Sequence, residues 1–116
     1  MPCILVVDDD EDTREAISRI LIEEGFVVRT AGDGADAVRS IRTPETPSLI
    51  LLDGRMPSMD GLRFLEWLEK QHEFDGINVI VMSADSTFGA GVRARAVLKK
   101  PFNIDQLIQL ARKYCI

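Results

Sequence analysis

The stretch Cys3-Ile4-Leu5-Val6-Val7-Asp8-Asp9-Asp10-Glu11-Asp12 decides the fold. An apolar run without polar interruptions has no solvent face, so as a strand it is buried on both sides, as in a parallel sheet covered by helices. This run stops abruptly at acid, and the pattern recurs. Ser48-Leu49-Ile50-Leu51-Leu52-Asp53 is a second buried strand ending in acid, and Ile77 to Met82 is a third, ending at Ser83.

Helical periodicity fills the intervals. Met1 to Val7 reads as the first strand, and Thr13 to Glu24 follows with Ala16, Ile17, Ile20 and Leu21 at helical spacing and Gly25 just past its end. Phe26 to Ala31 is a short strand. Asp33 or Gly34 then caps a helix carrying Ala35, Val38 and Ile41, which stops before Pro44. Met56 to Gly61 is a loop whose Asp60 caps a helix with Leu62, Leu65 and Leu68 on its inner face. Ala84 to Arg95 is rich in small residues and weakly patterned. Ala96 to Lys99 is a short fifth strand, and Asn103 caps a last helix bearing Ile104, Leu107, Ile108 and Ala111.

Strands alternating with helices imply an α/β fold with helices on both faces of a parallel sheet, and ligands of such sheets gather at the C-terminal strand ends. Here those ends carry Asp8-Asp9, Asp53, Ser83 and Lys99-Lys100. Carboxylates at one rim repel one another unless something positive sits among them. Oxygen-only ligation suits a hard cation, and a site that leaves coordination open for water and phosphate suits Mg²⁺. A lysine and a hydroxyl beside it supply charge and a hydrogen bond to phosphate oxygens. The set reads as phosphoryl transfer to a carboxylate.

Bulk properties narrow the alternatives. A chain of 116 residues supports one core. Its apolar runs are strand-sized, far short of the roughly 20 residues that span a bilayer, so membrane insertion is not expected. The N-terminus has no basic segment ahead of its apolar run, which points away from a secretory signal and toward a cytoplasmic location. Net charge is −5 with scattered basic residues, so direct nucleic-acid binding is not expected. Cys3 and Cys115 lack metal-ligand spacing and read as free thiols. Asp10 and Asp12 read as cap and first-turn acids of the first helix rather than metal ligands. Lys99 reads as a strand residue facing away from the site, His72 as a surface residue, and Phe64 and Trp67 as packing residues.

Four motifs in order give the chain a family likeness: Leu5-Val6-Val7-Asp8-Asp9; Leu51-Leu52-Asp53-Gly54-Arg55-Met56-Pro57 with Met59-Asp60-Gly61; Val81-Met82-Ser83-Ala84; and Leu98-Lys99-Lys100-Pro101-Phe102. The chain resembles the receiver domains of bacterial response regulators over essentially its whole length, as a single domain at 1–116. The resemblance implies a flavodoxin-like, doubly wound five-stranded parallel sheet of order 2-1-3-4-5. It implies that Asp53 accepts the phosphoryl group and that Asp8, Asp9, Asp53 and the backbone carbonyl of Arg55 hold Mg²⁺. Ser83 contacts the phosphoryl group, Lys100 pairs with it, and the Lys100–Pro101 bond is cis. The donor is a histidine kinase or phosphotransfer protein. The output is a protein partner or an effector domain outside this chain, with a homodimer possible. Such a chain is a phosphoacceptor and not an enzyme in the ordinary sense.

The sequence departs from the family pattern at three places. Val97 stands where an aromatic residue is usual on the fifth strand. Ser83 and Lys100 are closer together than usual, which predicts a fourth helix that is short, absent or disordered across residues 86–95. Arg55 occupies a variable position overhanging the site. Two other functions compete: a docking module of the same fold that does not depend on phosphorylation, and a phosphohydrolase using an aspartyl phosphate. The first-strand acids lack the Thr or Val such hydrolases place after Asp-x-Asp, and the chain has no room for a substrate-selecting cap.

Overall fold

The computed structural model describes residues 3–54, 61–83 and 94–115. The strands are β1 (Cys3–Val7), β2 (Val27–Ala31), β3 (Leu49–Asp53), β4 (Asn78–Ser83) and β5 (Ala96–Lys99), all parallel, in the order β2-β1-β3-β4-β5. The helices among the described residues are α1 (Glu11–Glu23), α2 (Gly34–Ile41), α3 (Gly61–Glu69) and α4 (Ile104–Tyr114), with a 3₁₀ turn at His72–Phe74.

Side-chain alternation along the strands separates two cores. Leu5, Val7, Ile50, Leu52, Val79 and Val81 face α2 and α3, where Ala37, Ile41, Phe64, Leu65 and Leu68 are buried. Ile4, Val6, Leu49, Leu51, Ile80 and Met82 face α1 and α4, meeting Ile17, Leu21, Leu107 and Ala111. The central strands β1 and β3 are buried throughout, as unbroken apolar runs require. Edge strand β2 is only partly buried.

Helix ends follow the side chains available. Asp10 caps α1 and Asp33 caps α2, each carboxylate accepting a backbone N–H from the first turn. Asn103 does the same for α4. Helix α1 ends in a Schellman turn: Phe26 N donates to Leu21 O at 3.1 Å, and Gly25 N to Ile22 O at 3.0 Å. Gly25 has φ +96°, a region a Cβ disfavours, and Phe26 and Leu21 pack into the same core.

Several sequence expectations are corrected in detail. Helix α1 starts at Glu11 rather than Thr13, because Asp10 itself is the cap. On α2, Ala37 rather than Ala35 faces the core; Ala35 is exposed, and Val38 and Ile41 pack as expected. Ala16 and Ile104 are likewise exposed, while Ser18 is buried in their stead on α1, donating from Oγ to Arg14 O at 2.8 Å. The expectation of a short, absent or disordered fourth helix falls almost wholly on residues 84–93, outside the described residues, and is not borne out. Asp60 as a cap, Leu62 as a core residue and Arg55 as a metal ligand also lie outside the described residues.

Cys3 and Cys115 are free, buried thiols. Cys115 packs with the α1/α4 core. Burial holds the Cys115 thiol above its ordinary pKa, with a smaller push from Cys3.

Candidate functional site

The C-terminal ends of β1, β3, β4 and β5 converge at one rim, and the register dictates what meets there. Strand parity carries Asp8 on from Ile4 and Val6, Asp53 on from Leu49 and Leu51, and Lys100 on from Leu98; all three sets face the α1/α4 side. Carboxylate oxygens of Asp8, Asp9 and Asp53 lie within 4.8 Å of one another. Lys100 Nζ stands 3.4 Å from both Asp8 Oδ2 and Asp53 Oδ1, bridging the two acids. Asp8 is 1% exposed and Asp53 8%, while Asp9 faces solvent, so the rim has two sheltered acids and one accessible one.

Backbone bonds hold these side chains. Asp8 N donates to Ala31 O at 3.2 Å, tying the end of β1 to β2, and Asp10 N donates to Asp8 Oδ1 at 2.9 Å. Gly54 N donates to Met82 O at 3.0 Å, continuing the β3–β4 ladder past Asp53. Lys100 N donates to Ser83 O at 2.8 Å, continuing β4–β5 in the same way. Ser83 is buried at the end of β4, opposite Lys99 in register. Lys99 is exposed, as alternation demands, and the Lys100–Pro101 peptide is cis.

The donor set fits a small hard cation. Mg²⁺ binds oxygens at about 2.1 Å, so its ligand oxygens span up to roughly 4.2 Å, and a slight inward movement of the three carboxylates satisfies that spacing. His72, exposed and paired with Asp75, is not among the residues that meet at this rim.

A family model for the response regulator receiver domain matches residues 4–112. The chain belongs to the response-regulator receiver family. As a receiver domain it carries the acidic pocket of Asp8, Asp9 and Asp53 with Lys100 that typifies a phosphoacceptor site, and it is a signalling module rather than a turnover enzyme. It is 35% identical over 115 residues to the DNA-binding transcriptional regulator NtrC of Escherichia coli, covering 95% of this chain and 24% of that protein. It is 40% identical over 112 residues to the transcriptional regulatory protein PrrA of Mycobacterium bovis, covering 92% of this chain and 47% of that protein. The chain thus spans from about a quarter to about half the length of these relatives. Among solved structures, response regulator TrrA of Thermotoga maritima, in complex with Mg²⁺ and BeF, superposes with a TM-score of 0.86 at 30% identity, covering 98% of this chain and 99% of that one.

Asp10 sits beside the receiver pocket but serves α1. Thr13 Oγ1 donates to Asp10 Oδ2 at 2.6 Å, and that bond chiefly holds the Asp10 carboxyl below its ordinary 3.8, with backbone bonds from Asp12 and Thr13 and the charge of Lys100 assisting and desolvation opposing. A depressed native pKa stabilises the fold above the unfolded value and loses that contribution as pH falls through the native one. Asp10→Ala is therefore expected to lower the unfolding midpoint by its full amount at neutral pH, with the gap from wild type narrowing below pH 3.8. Thermal melts of both proteins across that range check it; a pH-independent gap would contradict the cap assignment.

Two contributors to the pocket escaped the sequence reading. Arg14 Nη1 donates to the backbone oxygen of Asp8 at 2.8 Å. The Asp10 amide, through its bond to the Asp8 carboxylate, links cap and pocket. Only the position of Arg14, one turn into a helix that follows paired acids, hinted at the first.

Proposed function

We propose that residues 1–116 form one cytoplasmic receiver domain in which Asp53 accepts a phosphoryl group in a Mg²⁺-dependent reaction. The observation that carries this reading is the bridged pair of sheltered acids: Lys100 between Asp8 and Asp53, with Asp9 completing the oxygen cluster. A carboxylate oxygen of Asp53 attacks phosphorus, the donor oxygen or nitrogen leaves with the bonding pair, and an acyl phosphate remains. Asp8, Asp9 and Asp53, with the Arg55 carbonyl, would hold Mg²⁺, and the ion would neutralise charge on the phosphoryl oxygens. Lys100, already within reach of Asp53, pairs with the incoming phosphoryl group, and Ser83 donates its hydroxyl to it.

A histidine kinase or a histidine phosphotransfer protein supplies the phosphoryl group. The NtrC and PrrA relatives are transcriptional regulators of greater length, which supports an output read by an attached effector domain or by a partner protein. Val97 is half-buried against the α2/α3 core. With no aromatic ring at this residue, an output switch that works by ring rotation on β5 is not open to this chain.

Incubation with acetyl phosphate and Mg²⁺ should add one phosphoryl mass to the intact protein, and EDTA should suppress the adduct. An adduct formed equally well in EDTA would remove the metal from the mechanism.

A further inference from the structure

We propose that Arg14 is a positioning residue for the metal ligands, pinning the peptide at which the chain leaves β1 so that Asp8 and Asp9 keep their ligating arrangement. This rests on the Mg²⁺ reading of the acidic pocket.

A strand end leaves peptide groups that the ladder no longer serves, and a side chain must satisfy them if they are sheltered. At Asp8 the N–H goes to Ala31 O, and the C=O accepts from the Arg14 guanidinium at 2.8 Å in a partly buried bond. Both sides of the residue are thereby fixed: β2 holds the peptide entering Asp8, and α1 holds the peptide leaving it, the one that also carries Asp9. The side chain of Asp8 is held as well, Oδ1 by the Asp10 amide and Oδ2 near Lys100 Nζ.

Arg14 is itself anchored. Its N–H donates to Asp10 O at 2.9 Å, and its carbonyl accepts from the buried Ser18 hydroxyl at 2.8 Å. The guanidinium occupies the space above Gly32, where a Cβ would meet Nη1 at 3.3 Å and Asp36 Oδ2 at 3.8 Å. A glycine directly after β2 leaves the room through which the guanidinium reaches the end of β1.

Charge and geometry make opposite predictions, which gives the idea a test. A guanidinium near carboxylates repels an incoming dication, so if Arg14 acted by charge alone, removing it would tighten Mg²⁺ binding. If it acts by holding the ligands, removing it weakens binding, and residues that orient metal ligands cost roughly tenfold or more in affinity when lost. In about 0.5 M NaCl the Debye length falls to roughly 4 Å, which suppresses the charge effect and leaves the positional one.

The experiment compares wild type, Arg14→Met and Arg14→Lys by two readouts. Calorimetric titration with Mg²⁺ in high salt should give Arg14→Met a Kd raised about tenfold, with Arg14→Lys between it and wild type. Hydrogen exchange in metal-free protein should show the Asp10 amide exchanging faster in Arg14→Met while core amides of β1 and β3 keep their protection. Should Arg14→Met fail to fold, Arg14→Gln takes its place. An Mg²⁺ Kd unchanged or lowered in a folded variant, or an Asp10 amide that exchanges as in wild type, overturns the proposal. Absence of Mg²⁺ binding by wild type would instead overturn the metal reading, and the exchange measurement would still decide whether Arg14 holds the turn.

Discussion

Asp53→Asn is expected to abolish the acyl-phosphate adduct while leaving a folded, at least equally stable protein. The amide keeps the size and shape of the carboxyl, so the β3–β4 ladder at this point, Asp53 paired with Met82 and Gly54 N donating to Met82 O, is undisturbed. What changes is charge and nucleophilicity. An amide oxygen has no full negative charge to direct at phosphorus, and the O-phosphorylated imidate it would form is a high-energy species, so the adduct should fall below detection rather than slow modestly. Two sheltered acids become one, relieving the repulsion that Lys100 otherwise balances from 3.4 Å on each side. The metal-free melting midpoint should therefore hold or rise, and Mg²⁺ should bind more weakly for want of one anionic oxygen. Intact mass after acetyl phosphate treatment, paired with thermal melts, checks both halves. An adduct of wild-type yield in Asp53→Asn would place the phosphoryl group elsewhere, and Asp9, the exposed member of the cluster, would be the residue to map first.

The pocket is legible in the sequence for a physical reason. An apolar run that ends in acid states both that the strand is buried and where it stops. With alternation fixed by the strand period, Asp8, Asp53 and Lys100 share the parity of Ile4/Val6, Leu49/Leu51 and Leu98, so a parallel register alone brings them to one side. Order 2-1-3-4-5 came from the family likeness, since nothing in the strands themselves distinguishes which edge β2 takes. Caps at Asp10 and Asn103 are readable because capping is local, and the sequence narrows the second helix's cap to Asp33 or Gly34, of which Asp33 serves. Contacts that depend on how far a long side chain reaches through the finished fold were not: Arg14 crosses six positions to the Asp8 carbonyl through space that Gly32 leaves open. Phe74, only 7% exposed on a 3₁₀ turn, was hidden for another reason. It stands alone among polar residues, and periodicity cannot place a single ring.

Phe64→Ala is expected to cost about 3–5 kcal/mol of folding stability, the usual range for emptying a buried aromatic site. Phe64 is fully buried, stacked on Trp67 with ring centroids 6.0 Å apart, and Trp67 in turn lies 6.3 Å from Phe74. These rings belong to the α2/α3 core along with Leu65, Leu68, Ile41 and Val81. Collapse around the gap is hindered because its floor is the hydrogen-bonded sheet and its other walls are rings held by each other and by Arg42, whose guanidinium covers Trp67 at 5.5 Å. A domain with about 5–15 kcal/mol in total would lose a large fraction of its margin. Urea unfolding followed by Trp67 fluorescence, the single tryptophan of the chain, measures it. A loss under about 1.5 kcal/mol would mean the site closes up freely, contrary to the packing described. Trp67→Ala should cost less, since that ring is only half-buried. The position of Phe64 also separates stability from chemistry. It packs on the face of the sheet opposite to that shared by Asp8, Asp53 and Lys100. The folded fraction of Phe64→Ala should therefore still form the Mg²⁺-dependent adduct at the wild-type rate per folded molecule. A slower rate there would show that the two faces of the sheet are mechanically coupled at β3.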